Sequence, residues 1–301
     1  MFTAALLLAC TVSMTATKLV YDSIYSRYDA SAPIPQALQS LTHDRQAHQY
    51  VSGENRLSAW LYRCRGENAR DALVIVVPGF HAGADSYLWQ IQSLLELGWS
   101  VLAFDATGSF SSEGDSTRGF PQILYDLEAT LKYVENCKRF GYNDIVVLGH
   151  SQGGYAACCA LALEYDIDAV VSVSGVNSAM EGVMGLAEQY AGPLAKGNYA
   201  FLWTYQALLF GTQRLNLRSD EAISQSRVPV LVIHGASDEL IPADEYSIIS
   251  YSDRIDSITA EFLIWSEAGQ DGHTSVLYDA DGRANRALMA RIHDFLVRST
   301  G

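Results

Sequence analysis

The residues of this 301-residue chain best suited to chemistry stand in the run Gly149-His150-Ser151-Gln152-Gly153, a match to G-x-S-x-G. The apolar stretch "DIVVL" precedes it, and "GYAACCALALEY", small at first and apolar beyond, follows. A serine at a very tight strand-to-helix turn sits in a strained backbone conformation, and side chains at the glycine positions would strike the adjacent strand and helix. The strain keeps the hydroxyl exposed. Five-residue patterns recur by chance, so the strand before and the helix after are what give this one weight.

A serine hydroxyl is a weak nucleophile until a base takes its proton, and the base needs a third group to fix its tautomer. Seven histidines are available. His43 and His48 precede the main run of strands and His293 lies in the helical pattern "ALMARIHDFLVRS", so these three read as surface or packing residues. His150 is the x of the motif, with its side chain directed away from the serine hydroxyl. His81 follows the first long strand as a pocket-lining candidate, and His234 ends a strand as a loop-shaping one. His273, in the Gly-rich loop "SEAGQDGHTSVLYD" after the last strand, is the expected base.

For the acid, "VPVLVIHGASDELIP" places Asp238 directly after a buried strand, ahead of a helix expected to start at Pro242. Glu239 and Asp244 compete, as a solvated loop charge and as a first-turn helix acid. The resulting chain order is Ser, Asp, His. Acyl transfer also needs donors for the developing oxyanion, each worth about 2.7–4 kcal/mol. The backbone amide of Gln152, at the helix N-terminus, is one candidate. That of Phe80, in the loop "VVPGFHAGADSY" after the first long strand, is the other.

Strands and helices must hold these groups. Six short β-branched runs, 71–79, 99–106, 144–150, 168–175, 228–235 and 260–268, alternate with stretches of helical period such as "YLWQIQSLLELG" and "QILYDLEATLKYVENC". Continuous apolar strands separated by helices predict a parallel, doubly wound α/β sheet covered on both faces. "HQYVSGENRLSAWLYRC" predicts an antiparallel hairpin turning at Gly53-Glu54-Asn55. Functional groups then collect outside the carboxyl ends of the strands.

Composition narrows the function classes. With 49% hydrophobic and 18% charged residues the chain can bury one large core, and a net charge of −14 repels nucleic acid. The five cysteines show no paired spacing, which argues against a disulfide framework or a metal site and for buried free thiols. No cofactor motif is present. Residues 1–30 form a separate segment that suggests a signal peptide, a short membrane anchor or a packed helix: 2–17 carry no charge, yet the run is short for a span of about 20 residues, and Lys18 follows it where a signal would have a basic residue before it. "LLAC" resembles a lipoprotein box only loosely. A helix is expected there, packed on the protein or in contact with a membrane through residues 2–20, which leaves the location open between cytoplasm and membrane surface.

Together "VVPGFHAG", "FDATGSFSSEGDSTRGFPQILYDLEATLKYV", "GHSQGG", "IHGASDELIP" and "GQDGH" resemble the α/β-hydrolase superfamily, in its esterase, monoacylglycerol-lipase and serine-aminopeptidase-like branch. The resemblance spans about residues 50 to 298. It implies the α/β-hydrolase fold over 31–301 with a helical cap inserted at about 178–227. It further implies Ser151 as nucleophile, Asp238 as acid, His273 as base, Phe80 and Gln152 as oxyanion donors, and no cofactor. Two departures stand out: Pro78-Gly79 replaces the usual His-Gly, and Phe110 replaces a glycine in the Asp105–Ser112 loop, where it is expected to narrow the acyl side of the pocket. Asp105 is expected to brace that loop.

The cap region holds Tyr190, Tyr199, Phe201, Trp203, Tyr205 and Phe210. These either pack the cap down or form an apolar acyl-binding wall. A carboxylic-ester hydrolase acting on a small molecule with an apolar acyl group is the leading expectation. The alternatives are a serine peptidase or aminopeptidase, with Glu181 and Glu188 as candidates to hold an ammonium, and a non-catalytic interaction protein on the same scaffold. Oligomeric state is not legible.

Overall fold

A computed structural model describes residues 2–30 and 32–300; the side chains of residues 2–9, which include part of the lipoprotein-like box, and that of Ala191 lie outside the description. Eight strands form one sheet in the order β1-β2-β4-β3-β5-β6-β7-β8. They are β1 Gln46–Ser52, β2 Asn55–Tyr62, β3 Ala72–Val77, β4 Ser100–Phe104, β5 Asp144–His150, β6 Ala169–Val173, β7 Val230–Gly235 and β8 Ala260–Trp265. β1 and β2 form the antiparallel hairpin, β2 meets β4 antiparallel, and every other pairing is parallel. The hairpin turn is shorter than expected, because Asn55 already pairs with Ser52.

Among the described residues, the α-helices of seven residues or more are α1 Phe2–Ile24, α2 Leu88–Glu96, α3 Gln122–Asn136, α4 Gln152–Cys159, α5 Ala179–Ala191, α6 Tyr199–Phe210, α7 Ser219–Gln225 and α8 Arg286–Ser299. Successive side chains of a strand point to opposite faces. Leu73, Ile75 and Val77 of β3 therefore join the core under α3 and α4, while Val74 and Val76 join the core under α2 and α8. All six β3 residues are buried, which is why the strand reads as a continuous apolar run. The five cysteines are free; Cys158 and Cys159 are buried in α4, where burial pushes the Cys158 thiol up to about 12, but Cys10 is exposed.

Between β6 and β7 the chain is helical, with α5, α6 and α7 in that interval. α1 packs along α6: Asn198 Nδ2 donates to Thr17 Oγ1 at 2.8 Å, Tyr205 OH donates to Asp22 at 2.7 Å, and the Tyr21 and Tyr205 rings meet edge to face at 5.1 Å. Among the described residues no helix is long and apolar enough to cross a membrane. The helix expected at Pro242 is absent; residues 243–246 form a turn, and a 3-10 helix follows at Ile248–Arg254. Beyond α1 the chain runs back across the loop after β4, with bridges at Ser26–Ser116 and Tyr28–Ser109. Arg27 fixes this crossing by donating to the carbonyls of Phe110, Ser112 and Gly114.

Candidate active site

Ser151 caps α4 at the end of β5 with φ 57° and ψ −121°, a positive-φ backbone that a β-carbon resists. Two glycines make the turn feasible by close approach. A β-carbon on Gly149 would lie 2.0 Å from the Gly153 carbonyl oxygen, and one on Gly153 would lie 2.2 Å from that of Val77 on β3. The hydroxyl of Ser151 opens into a cavity of about 360 Å³.

His273 comes to Ser151 from the loop after β8, with Nε2 2.8 Å from Oγ. Its Nδ1 lies 2.8 Å from Oδ2 of Asp238, whose side chain is fully buried after β7. The other carboxylate oxygen accepts from the amides of Leu240 and Ile241 at 3.0 and 2.9 Å. Burial alone would raise the pKa of such a group. Here the hydrogen bonds from His234, His273 and the Ile241 amide outweigh it and hold the Asp238 carboxyl well below the usual carboxylate range. Glu239 and Asp244 are exposed and take no part.

The remaining histidines divide as follows. His43, His48 and His293 bond to Gln39, Tyr133 and Trp99, away from the cavity. His234 is buried and its Nε2 donates to the Ile241 carbonyl at 2.8 Å and lies 3.3 Å from Asp238, so it shapes the acid loop and touches the acid itself. His150 points away from the Ser151 hydroxyl and serves a purpose not evident from its position in the motif. Its Nε2 donates to the backbone carbonyl of His273 at 2.9 Å, while its Nδ1 faces the hydroxyl of Tyr87 at 3.2 Å. Tyr87 in turn accepts from the amide of Gly79 at 2.9 Å. One chain of bonds thus ties the end of β5 to the loops after β3 and β8. Burial, with the neighbouring His273 adding to it, lowers the His150 imidazole to about 3, so it is neutral.

The amides of Phe80 and Gln152 have no acceptor within the protein among the described residues. Gly79 brings the Phe80 loop against the elbow: a β-carbon there would sit 3.2 Å from Cβ of Ser151. The Phe80-His81 turn is stacked from outside. Tyr25 meets the Phe80 ring edge on at 5.3 Å, the Phe80 and His81 rings stack at 3.8 Å, and Tyr28 lies flat on His81 at 4.2 Å and 8°. His81 has φ 58°, so this clamp holds a strained residue. Tyr25, Tyr28 and Tyr87 are contributors with no sequence signal of their own, because each acts by tertiary contact.

Asp105 braces its loop by accepting from the amides of Ala84 and Ser111 at 2.9 and 3.0 Å. Burial pushes it up to about 6 against those two bonds. Phe110 does not narrow the Ser151 cavity. It faces a separate hollow beside Asp105 and Trp89, because its φ of 45° and the crossing by Tyr28 turn it outward. The six aromatics between β6 and β7 do not wall the Ser151 cavity either. Phe120, Leu186, Leu240, Ile241 and Leu277 supply its apolar surface, and Tyr205 is occupied by α1. Glu181 is engaged by Ser178 and Tyr251, and Glu188 lies 3.7 Å from Lys196, both outside the cavity lining.

A family model for the alpha/beta hydrolase fold matches residues 72–197. The fold is that of the α/β hydrolases. It is shared with an esterase of Pyrococcus furiosus at a TM-score of 0.66 and 20% identity, over 92% of this chain and 99% of that one. Est1E of Butyrivibrio proteoclasticus, in a structure with ferulic acid bound, has the same hydrolase fold at a TM-score of 0.62 and 19% identity, over 84% of this chain and 99% of that one. A curated proline iminopeptidase of Saccharolobus solfataricus is 30% identical over 122 residues, 39% of this chain and 37% of the relative, so the match spans little more than a third of that protein's length.

Proposed function

We propose that this protein is a serine hydrolase that cleaves a carboxylic ester through an acyl-enzyme on Ser151. The observation that carries the proposal is the unbroken line from Ser151 Oγ through His273 to Asp238, each contact 2.8 Å, opening into a largely apolar cavity. In this reading His273 Nε2 takes the hydroxyl proton as Oγ attacks the ester carbonyl carbon. The oxyanion is held by the amides of Phe80 and Gln152, and His273 passes the proton to the departing alkoxide. Water then gives a proton to His273 and its oxygen to the acyl carbon, releasing the acid and restoring Ser151. Asp238 holds His273 in the tautomer that the first step requires.

A peptidase on the same three residues is the second reading, supported by the similarity to the iminopeptidase. An amine substrate calls for a carboxylate in the pocket, and none occurs among the described lining residues. That favours a neutral ester. The test sets short p-nitrophenyl esters against aminoacyl-nitroanilides, with fluorophosphonate labelling of the protein. Ester turnover and labelling are expected in the wild type. Ser151→Ala should abolish labelling and lower kcat by several orders of magnitude, with about 10⁶-fold as the ceiling. Unchanged turnover by Ser151→Ala would exclude the mechanism, and faster nitroanilide cleavage would move the assignment to a peptidase.

A further inference from the structure

A second apolar cavity, of about 380 Å³, runs as a groove between α1 and the α5–α6 region. One helix divides it from the Ser151 cavity. α5 presents Gly182 and Gly185 to the Ser151 cavity, and Val183, Ala187 and Tyr190 to the groove; Leu186 lines both. On the other side of this boundary Tyr25 lines the groove, and its ring packs on Phe80, which lines the Ser151 cavity. No charged side chain occurs among the described residues of the groove. At its mouth Val12, Tyr190 and Leu194 are 59%, 70% and 82% exposed, an apolar surface of the kind that usually marks a binding site.

We propose that this groove is the acyl-chain site of the enzyme and that the substrate carries a medium- or long-chain fatty acyl group, which passes Leu186 to lie between α1 and α5. The proposal rests on the ester-hydrolase function advanced above. Leu186, the residue that lines both cavities, selects the occupant, since a chain whose carbonyl is bonded to Ser151 reaches the groove by displacing that side chain. Of the other hollows that share lining with the Ser151 cavity, one of about 20 Å³ is too small for a chain, and one of about 750 Å³ shares Ser86 and Tyr278 with it. The larger is lined by Arg27, Asp29, Asp85 and Asp105, charges that an alkyl chain cannot solvate. An apolar tail therefore partitions toward α1. Each methylene that leaves water there raises kcat/KM by about fourfold until the groove is filled. α1 thereby becomes one wall of the substrate site, although it lies outside the sheet domain in sequence.

The test measures kcat/KM of the full chain for p-nitrophenyl butanoate and dodecanoate, in the wild type and in two variants that fill the groove from opposite walls. Ala187→Trp acts from α5, and Ala16→Trp acts from α1, where the native residue is exposed and a larger side chain leaves the core intact. The dodecanoate-to-butanoate ratio should fall about tenfold or more in both variants. A ratio within about threefold of the wild-type value in either would overturn the proposal. If no ester is turned over, the hydrolase assignment fails, and binding of the fluorescent fatty acid cis-parinaric acid decides the groove separately. Binding to the wild type that is lost in both variants keeps the groove as a fatty-chain site. Equal binding by all three proteins, or none by the wild type, removes it.

Discussion

His150, at the end of β5, links the loops after β3 and β8, which the sequence keeps far apart, with its imidazole between the carbonyl of His273 and the hydroxyl of Tyr87. Its low affinity for protons has a thermodynamic consequence. The unfolded chain protonates this residue near its ordinary value of 6.5, whereas the native protein refuses the proton until about pH 3. Its contribution to stability is complete above about pH 6.5 and is lost as the pH falls from there toward 3. His150→Gln, neutral throughout, should therefore flatten the dependence of Tm on pH between about 3 and 6.5 relative to the wild type. Parallel profiles for the two proteins would show that the histidine is protonated in the native state. At this scale the motif makes Ser151, His273 and Asp238 legible, because strand ends and Gly-rich loops are local signals. The bonds of His150, His234 and Tyr87 are not legible, since a side chain's partner across three loops leaves no trace in spacing.

At the scale of elements, the segment from Tyr25 to Tyr28 is a clamp on the loop that carries the Phe80 amide. If that amide binds the oxyanion, loosening the clamp penalises the transition state more than the bound ester. Tyr28→Ala should then lower kcat about tenfold with KM changed less than about twofold, while Tyr28→Phe, which keeps the stacked ring, should retain wild-type kcat. Equal losses in both variants, or a change confined to KM, would contradict this placement of Tyr28. The strands and the longer helices are legible because burial on both faces makes a parallel strand continuously apolar. The aromatics between β6 and β7 are harder to place. Periodicity reports that a face is apolar but not what covers it, and the cover over Tyr205 is α1. Phe110 escapes for a related reason, since its direction is set by a positive φ and by a chain crossing from the N-terminal side.

Across the whole molecule, the site is assembled from the ends of β3, β5, β7 and β8, and β3 lies beside β5 rather than beside β6 or β7. Val77 pairs with Gly149, so the Phe80 loop meets the Ser151 elbow only after the chain between them has folded back and registered. Ser151 itself is anchored by its amide to the Val173 carbonyl of β6. Such contacts close long loops, and the entropy of closing them must be met before the bonds between the separate loops of the site can form. If the Ser151 site is catalytic, its competence is then expected to arise late in folding, and a fragment holding only the motif should lack it. On dilution from denaturant, ester turnover should return with the slowest phase seen by tryptophan fluorescence, never ahead of it. Activity appearing in an earlier phase would mean that the two loops can meet without the sheet.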